Sequence, residues 1–116
     1  MAGTFSADGK NAMLNAIGAL AVYVGLLGAD GSTEISGGTP AYARKAITWN
    51  GANAGAMTAS NQPAFDVPAS TVTKVIYCAE LSGGTVYATN DVTDEVFAAQ
   101  GTYTITSATL TISDPS

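Results

Sequence analysis

The run TVTKVIYCAEL, residues 71–81, limits what this chain can fold into more than any other segment. Neighbouring side chains on a strand point to opposite faces, and here both faces carry apolar residues. Ile76 and Cys78 share one face, while Val75 and Tyr77 share the other. Apolar residues on both faces are typical of a strand buried on both sides. We therefore expect a central strand that is covered from two sides.

Several neighbouring segments also carry strand signals. Gly83-Gly84 connect the central run to TVYAT, residues 85–89, which predicts a hairpin. The segment PAFDVP, residues 63–68, has a proline at each end. Proline cannot donate to a sheet ladder, so this segment predicts a short edge strand. The branched and aromatic residues of LAVYVGLLGA, residues 20–29, indicate a largely buried strand, and YARKAITW is a further strand candidate.

The closing segment TYTITSATLTIS changes its apolar phase. Tyr103 and Ile105 fall on odd positions, whereas Leu110 and Ile112 fall on even ones. A shift by one residue on a strand moves side chains to the opposite face. We expect a β-bulge or a tight turn at residues 106–108, which would keep both pairs on one core.

Two segments carry helix signals. Residues 6–19 begin with Ser6, a good N-cap, and Asp8 lies in the first turn, where the helix dipole favours an anion. The segment TDEVFAAQG, residues 93–101, predicts a short helix that begins after Thr93 and ends at Gly101. The apolar positions of the first helix recur at helical spacing: Met13, Ile17 and Leu20.

These elements define the expected fold class. About seven short strands with glycine-rich turns and one N-terminal α-helix are typical of a mainly β protein, either a β-sandwich or a small β-barrel. A chain of 116 residues has the usual length of one domain. We therefore predict a single β-rich domain over residues 1–116, with the helix at about 6–19.

The charge balance limits the classes of partner. Four Lys/Arg face nine Asp/Glu, which gives a net charge of −5. A nucleic-acid-binding protein needs a basic face to displace counterions from phosphate, and the same shortage argues against anionic membrane surfaces. The uncharged run at 11–29 is diluted by asparagine and glycine, so it is too polar for a transmembrane helix. We expect neither nucleic-acid nor membrane partners.

The sequence lacks the residue types that most catalytic mechanisms require. The sequence has no histidine and one cysteine, which removes Ser-His-Asp and Cys-His catalysis and makes a zinc site untenable. It contains no phosphate-binding glycine loop and no dinucleotide fingerprint. We expect no enzymatic activity, no metal and no cofactor. The single thiol, Cys78, lies in an apolar run and is expected to be buried.

The carboxylates leave two alternatives. Asp91, Asp94 and Glu95 could act as a glycosidase pair if two of them met in a cleft, but the first turn of the predicted helix explains their position better. Asp30 and Glu34 have a spacing that could touch calcium, although the loop lacks the carboxylate density of an EF-hand. We favour a solvated turn.

The segment YARKAITW places two of the four cations beside large aromatic residues. Strand alternation puts Tyr42 and Arg44 on one face, and Lys45, Ile47 and Trp49 on the other. If Ile47 and Trp49 face the core, Tyr42 and Arg44 occupy the wet face. Tyrosine and arginine are frequent interface anchors, so this pair forms the candidate partner contact. An ordinary half-wet strand is the alternative.

The same residues carry a family resemblance. The stretch from SADGKNAMLNAIGAL through YVGLLGADG to YARKAITW resembles the opening of a family of small structural proteins of bacteriophages, especially phages of actinobacteria. PAFDVP and the second half of the chain are also similar to the family pattern. The most specific pieces are Tyr42-Ala43-Arg44 with Trp49, and Gly101-Thr102-Tyr103. Members are usually described as tail-fibre or minor tail proteins, and similar small proteins decorate phage heads.

The resemblance implies a non-enzymatic virion protein that is assembled in the host cytoplasm. Its partners would be other virion proteins, namely the major capsid or tail proteins, and it would form a homo-oligomer, with a trimer as one candidate. A tail fibre usually needs a repetitive stalk, which this sequence lacks. A small accessory module on the particle surface, either a capsid decoration or a tail-associated protein, is therefore the expectation.

A carbohydrate-binding host-recognition module is the alternative function. It would place aromatic rings against a host surface glycan. Two or more of Tyr42, Tyr87 and Tyr103 exposed on one concave surface would favour this alternative, and burial of all three would exclude it.

Overall fold

A computed structural model of the protein describes residues 4–112. Within that range the protein is mainly β, with one helix at its N-terminal end, and this confirms the predicted fold class. The elements are, in chain order, α1 (Ala7–Leu20), β1 (Tyr23–Leu27), β2 (Lys45–Ala46), β3 (Ala56–Thr58), β4 (Ala64–Val67), β5 (Ser70–Cys78), β6 (Val86–Phe97), β7 (Gly101–Thr104) and β8 (Thr109–Thr111).

A four-stranded antiparallel sheet forms the centre of the fold. Its strand order is β2-β1-β5-β6, so β5 lies between two neighbours, as the sequence predicted. Two further antiparallel ladders, β3-β8 and β4-β7, pack beside it. Among residues 4–112, β4 pairs with β7 alone, in agreement with the edge strand predicted at 63–68. Gly83 and Gly84 both have positive φ in the turn that joins β5 to β6, which confirms the hairpin.

The faces of β5 differ from simple alternation at one position. Val75 and Tyr77 face the main core, and Ile76 and Cys78 pack with Leu27 in a smaller cluster on the opposite face. Alternation predicts that Val72 joins Ile76, yet it lies in the main core. The pairing of β5 with β6 is irregular between positions 72 and 74, and this irregularity reverses the alternation.

The helix α1 forms where it was predicted. The Ser6 hydroxyl accepts a hydrogen bond from the Gly9 amide at 3.0 Å and so caps the first turn. Leu14 is the buried residue of α1 although it lies outside the predicted spacing of Met13, Ile17 and Leu20, and Leu20 is 47% exposed. Leu20 is the last helical residue and lies where the chain turns into β1. No helix within residues 4–112 is long and apolar enough to cross a membrane.

Two local predictions were wrong, and one short strand was not predicted. The segment 93–101 is not a helix, because most of it continues β6 as a partner of β5, with Val96 opposite Thr71. The glycine- and alanine-rich loop after Asn50 contains the short strand β3. YARKAITW contributes only the two residues of β2 and an isolated bridge from Trp49 to Ala59. For β6 and β3, pairing with a strand distant in the sequence overrides the local signal.

The phase change near the C-terminal end is confirmed. The irregular link at 105–108 separates β7, which pairs with β4, from β8, which pairs with β3. The link reverses the side-chain phase so that both halves face one core. The residues concerned are Tyr103, Ile105, Leu110 and Ile112.

Candidate functional site

Arg44 forms a partly buried ion pair with Glu34. The residue is 7% exposed, and its Nε and Nη2 donate to the two carboxylate oxygens of Glu34 at 2.9 and 2.8 Å. Its Nη1 donates to the carbonyl oxygens of Glu80 and Gly83, both at 2.9 Å. The guanidinium therefore ties the segment before β2 to the loop after β1 and to the β5-β6 hairpin turn. Such a fixed fork is a geometry that only arginine provides.

Tyr42 completes this cluster. Its hydroxyl donates to Glu34 at 2.7 Å and accepts a hydrogen bond from the Leu26 amide at 2.9 Å. The ring stacks against Phe65, with centroids 6.1 Å apart and planes inclined by 16°. The side chain thus joins the main core at its ring and the ion pair at its hydroxyl.

Gly25 makes room for the cluster in the middle of β1. A Cβ atom at this position would lie 2.8 Å from a carboxylate oxygen of Glu34 and 2.9 Å from the hydroxyl of Tyr42. Contacts that short do not occur between real atoms of these kinds, so a larger residue would displace one of the two side chains. A glycine inside a strand often marks such a close approach.

The charges of the cluster stabilise one another. Burial alone would raise the pKa of Glu34, but hydrogen bonds from Arg44 and Tyr42 outweigh it and hold the pKa below its usual value of 4.5. Burial, together with the hydrogen bond to Glu34, raises the pKa of Tyr42 far above its usual value. The hydrogen bond to Glu34 also raises the pKa of Arg44. The stable state is therefore a carboxylate, a neutral phenol and a guanidinium.

The prediction that Tyr42 and Arg44 lie on a solvent-exposed face is wrong. Ile47 and Trp49 do contact the core, as expected, but Arg44 is also buried because an acidic loop and a hairpin turn cover that side of the sheet. A cleft of about 350 Å³ borders the cluster and is lined by Tyr42, Arg44 and Leu81 among others. Contact of this pair with a partner remains a prediction, and the cleft is the place where it would occur.

The three tyrosines proposed for glycan binding differ in exposure. Tyr42 stacks on Phe65, and Tyr103 packs edge-on against Phe97 with centroids 6.4 Å apart. Both rings are partly buried against the main core, and only Tyr87 of the three is exposed. This arrangement meets neither the condition that favoured glycan binding through these residues nor the one that excluded it.

The carboxylates considered for chemistry lie on β6 and in the turn at Asp30. Asp91 lies opposite Lys74 and Glu95 opposite Val72 in the β5-β6 ladder, and both acids are exposed along the edge strand. The Asp30 carboxylate accepts hydrogen bonds from the Ser32 and Thr33 amides and from the Thr33 hydroxyl, which lower its pKa to about 2. Asp30 therefore closes its own turn.

The thiol of Cys78 is buried, as predicted, and burial raises its pKa. A raised pKa keeps the group as the unreactive thiol.

A second cavity lies beside the only tryptophan and was not predicted. It has a volume of about 290 Å³ and opens between α1, the Trp49 segment and β3. The single tryptophan followed by Asn50 and Gly51 could have indicated a ligand cavity in this segment. No pattern in the sequence, however, placed α1 against it. The lining residues are Asn15, Gly18, Val22, Ile47, Thr48, Trp49, Asn50, Gly51 and Met57.

Four of the exposed large apolar side chains lie along the β5-β6 hairpin. Leu81 lies in its turn, Val86 and Tyr87 at the start of β6, and Val96 near its end, where it is 73% exposed. β6 is the last strand of its sheet, so its outer backbone edge pairs with no other strand among the described residues. An unpaired edge with apolar side chains is a surface that can accept another protein.

Comparisons with protein-family models, with curated proteins and with solved structures found no match.

Proposed function

We propose that the protein is a non-enzymatic structural protein of a bacteriophage virion, an accessory module that binds the particle surface as a capsid decoration or a tail-associated protein. The observation that carries the proposal is the exposed β5-β6 hairpin with its open strand edge. The resemblance of the chain to small phage structural proteins supplies the class of partner.

The β6 surface has the features of a contact with another protein. Val86 and Tyr87 lie at the start of β6 and Val96 lies near its end, so exposed apolar side chains flank both ends of the open edge of this strand. An unpaired strand edge can pair with a strand of a partner, and exposed apolar side chains beside it would add to that contact. The acids of β6 lie between these apolar ends, and acidic residues on an edge discourage uncontrolled strand pairing.

The Arg44 cluster fixes the turn that leads into this surface. By holding the carbonyl oxygens of Glu80 and Gly83, Arg44 fixes the hairpin turn that precedes β6. A rigid edge loses less conformational freedom on binding than a mobile one. Copies of the protein would occupy symmetry-related positions on the major capsid or tail protein, and a closed homo-oligomer such as a trimer is compatible with that role.

Particle incorporation of a surface variant tests the proposal. Val96→Lys places a charge on a side chain that is 73% exposed, so the fold should persist while binding to the particle weakens. The matched control is Leu20→Lys, which changes an exposed apolar residue at the end of α1. We expect purified particles to carry fewer copies of the Val96 variant than of the control. Equal copy numbers would overturn the assignment of β6 as the contact surface.

A further inference from the structure

We propose that the cavity beside Trp49 binds a single neutral sugar ring, as a ligand site separate from the β6 surface. None of its lining residues is charged, and its walls combine an indole ring, asparagine side chains, a hydroxyl group and glycines. Ligand sites are typically concave and apolar, with a few polar groups that fix orientation. The inference goes beyond the virion role, because it concerns a different part of the molecule and a small ligand.

The indole of Trp49 is held in place without a ligand. Its Nε1 donates to the carbonyl oxygen of Ala21 at 2.9 Å, and the ring of Tyr77 packs against it with centroids 5.3 Å apart and planes inclined by 58°. The N–H group is therefore already used, and the ring contributes its hydrocarbon surface to the cavity. A fixed aromatic surface costs little entropy on binding and suits the C–H face of a sugar ring.

Two asparagines supply a complementary donor and acceptor. The Oδ1 of Asn15 accepts a hydrogen bond from the Ala52 amide at 3.0 Å, which leaves its Nδ2 as a donor. The Nδ2 of Asn50 donates to the Thr58 hydroxyl at 3.3 Å, which leaves its Oδ1 as an acceptor. One free donor and one free acceptor match neighbouring hydroxyl groups, each of which both donates and accepts.

Gly18 keeps the cavity open. A Cβ atom on Gly18 would lie 3.1 Å from the sulfur of Met57 and 3.4 Å from Cδ1 of Trp49, so a larger residue would narrow the space between α1 and the indole. The volume of about 290 Å³ lies at the small end of ligand pockets, which begin at roughly 300 Å³. One ring fits that size better than an extended chain. The absence of charged lining residues favours a neutral sugar over an acidic or amino one.

Titration with simple sugars tests the site, because Trp49 is the only tryptophan. The probes are the methyl glycosides of glucose, galactose, mannose and N-acetylglucosamine, added to the full chain while indole fluorescence and the side-chain amide NMR signals of Asn15 and Asn50 are recorded. We expect at least one glycoside to give a saturable change in both signals. A single ring of this size should bind in the millimolar range.

Two variants make the test specific. Asn50→Ala removes the free acceptor and should weaken binding about tenfold, while Asn53→Ala changes an exposed asparagine that does not line the cavity and should bind as the parent does. Circular dichroism checks that both variants fold. The inference is overturned if none of the four glycosides changes either signal, or if both variants bind equally well. Particle incorporation does not depend on either result, so failure here is distinguishable from failure of the virion role.

Discussion

The guanidinium of Arg44 and the carboxylate of Glu34 form a bidentate ion pair, with N–O distances of 2.9 and 2.8 Å. The pair packs against Gly25 in the central sheet. The pair joins segments that are otherwise separate: the loop after β1, the approach to β2 and the hairpin turn before β6. A residue that the sequence indicated as an outward-facing contact is thus an internal anchor of the structure.

Replacing Arg44 with Met should strongly destabilise the fold. The substitution leaves Glu34 without its partner and two carbonyl oxygens without donors, and removing one member of a buried pair costs about 3–5 kcal/mol. The Glu34 side chain is 28% exposed, so water offsets part of this loss and we expect about 2–3 kcal/mol. Urea unfolding gives the value. Arg44→Lys keeps the charge without the fork and should lie in between, whereas a loss below about 0.5 kcal/mol in the Met variant would mean that Arg44 is a surface residue.

Gly25→Ala should be costly although it adds one methyl group. The new Cβ would lie 2.8 Å from Glu34 and 2.9 Å from Tyr42, so the ion pair or the phenol must move. Overpacking of this kind costs about 1–3 kcal/mol. Gly51→Ala is the matched control, because a Cβ there meets no atom within 4 Å. Equal unfolding free energies for the two variants would contradict the close approach described for Gly25.

Tyr42→Phe isolates the role of the hydroxyl. The ring can still stack on Phe65, but the Leu26 amide loses its acceptor and Glu34 loses one donor. An unsatisfied buried group costs about 1–3 kcal/mol, which should appear as a lower thermal midpoint. Tyr87→Phe, at an exposed position, should leave the midpoint nearly unchanged. Equal thermal midpoints for both variants and the parent would contradict this role of the Tyr42 hydroxyl.

The stability of the protein should fall in acid with a contribution from Glu34. Its pKa in the folded state lies below its usual value of 4.5, so the ion pair stabilises the fold fully above that pH and progressively less as the pH falls through the folded pKa. Asp30, with a pKa of about 2, acts in the same direction at lower pH. Urea midpoints between pH 6 and 2, measured for the parent and for Glu34→Gln, test this dependence, since the variant should show the shallower decline. Parallel curves would show that Glu34 does not titrate as described.

Sequence patterns predicted the elements that depend on interactions between residues close together in the chain. The Ser6 cap of α1, the two apolar faces of β5 and the Gly83-Gly84 turn were each readable in a short window. The strand at 93–97 was not, because Thr93 and the acids after it also suit the first turn of a helix. Only pairing with β5, through Thr71 and Val96, decides between the two.

The Arg44 cluster escaped prediction for a related reason. Strand alternation assigns a face but does not say whether a distant loop covers it. Glu34 is ten residues away and Glu80 thirty-six, and no periodicity links such positions. A signal did exist in Gly25, since a glycine in the middle of an apolar strand indicates that something approaches the backbone closely. The cavity at Trp49 depends in the same way on α1, which brings Asn15 to Asn50.

Gold labelling of intact particles with an antibody against this protein tests the central claim most directly. The virion role predicts label on the particle surface, at many sites over the head for a capsid decoration or confined to the tail for a tail-associated module. Label that is absent from intact particles, while the same antibody detects the protein in the lysate of infected cells, would contradict the claim.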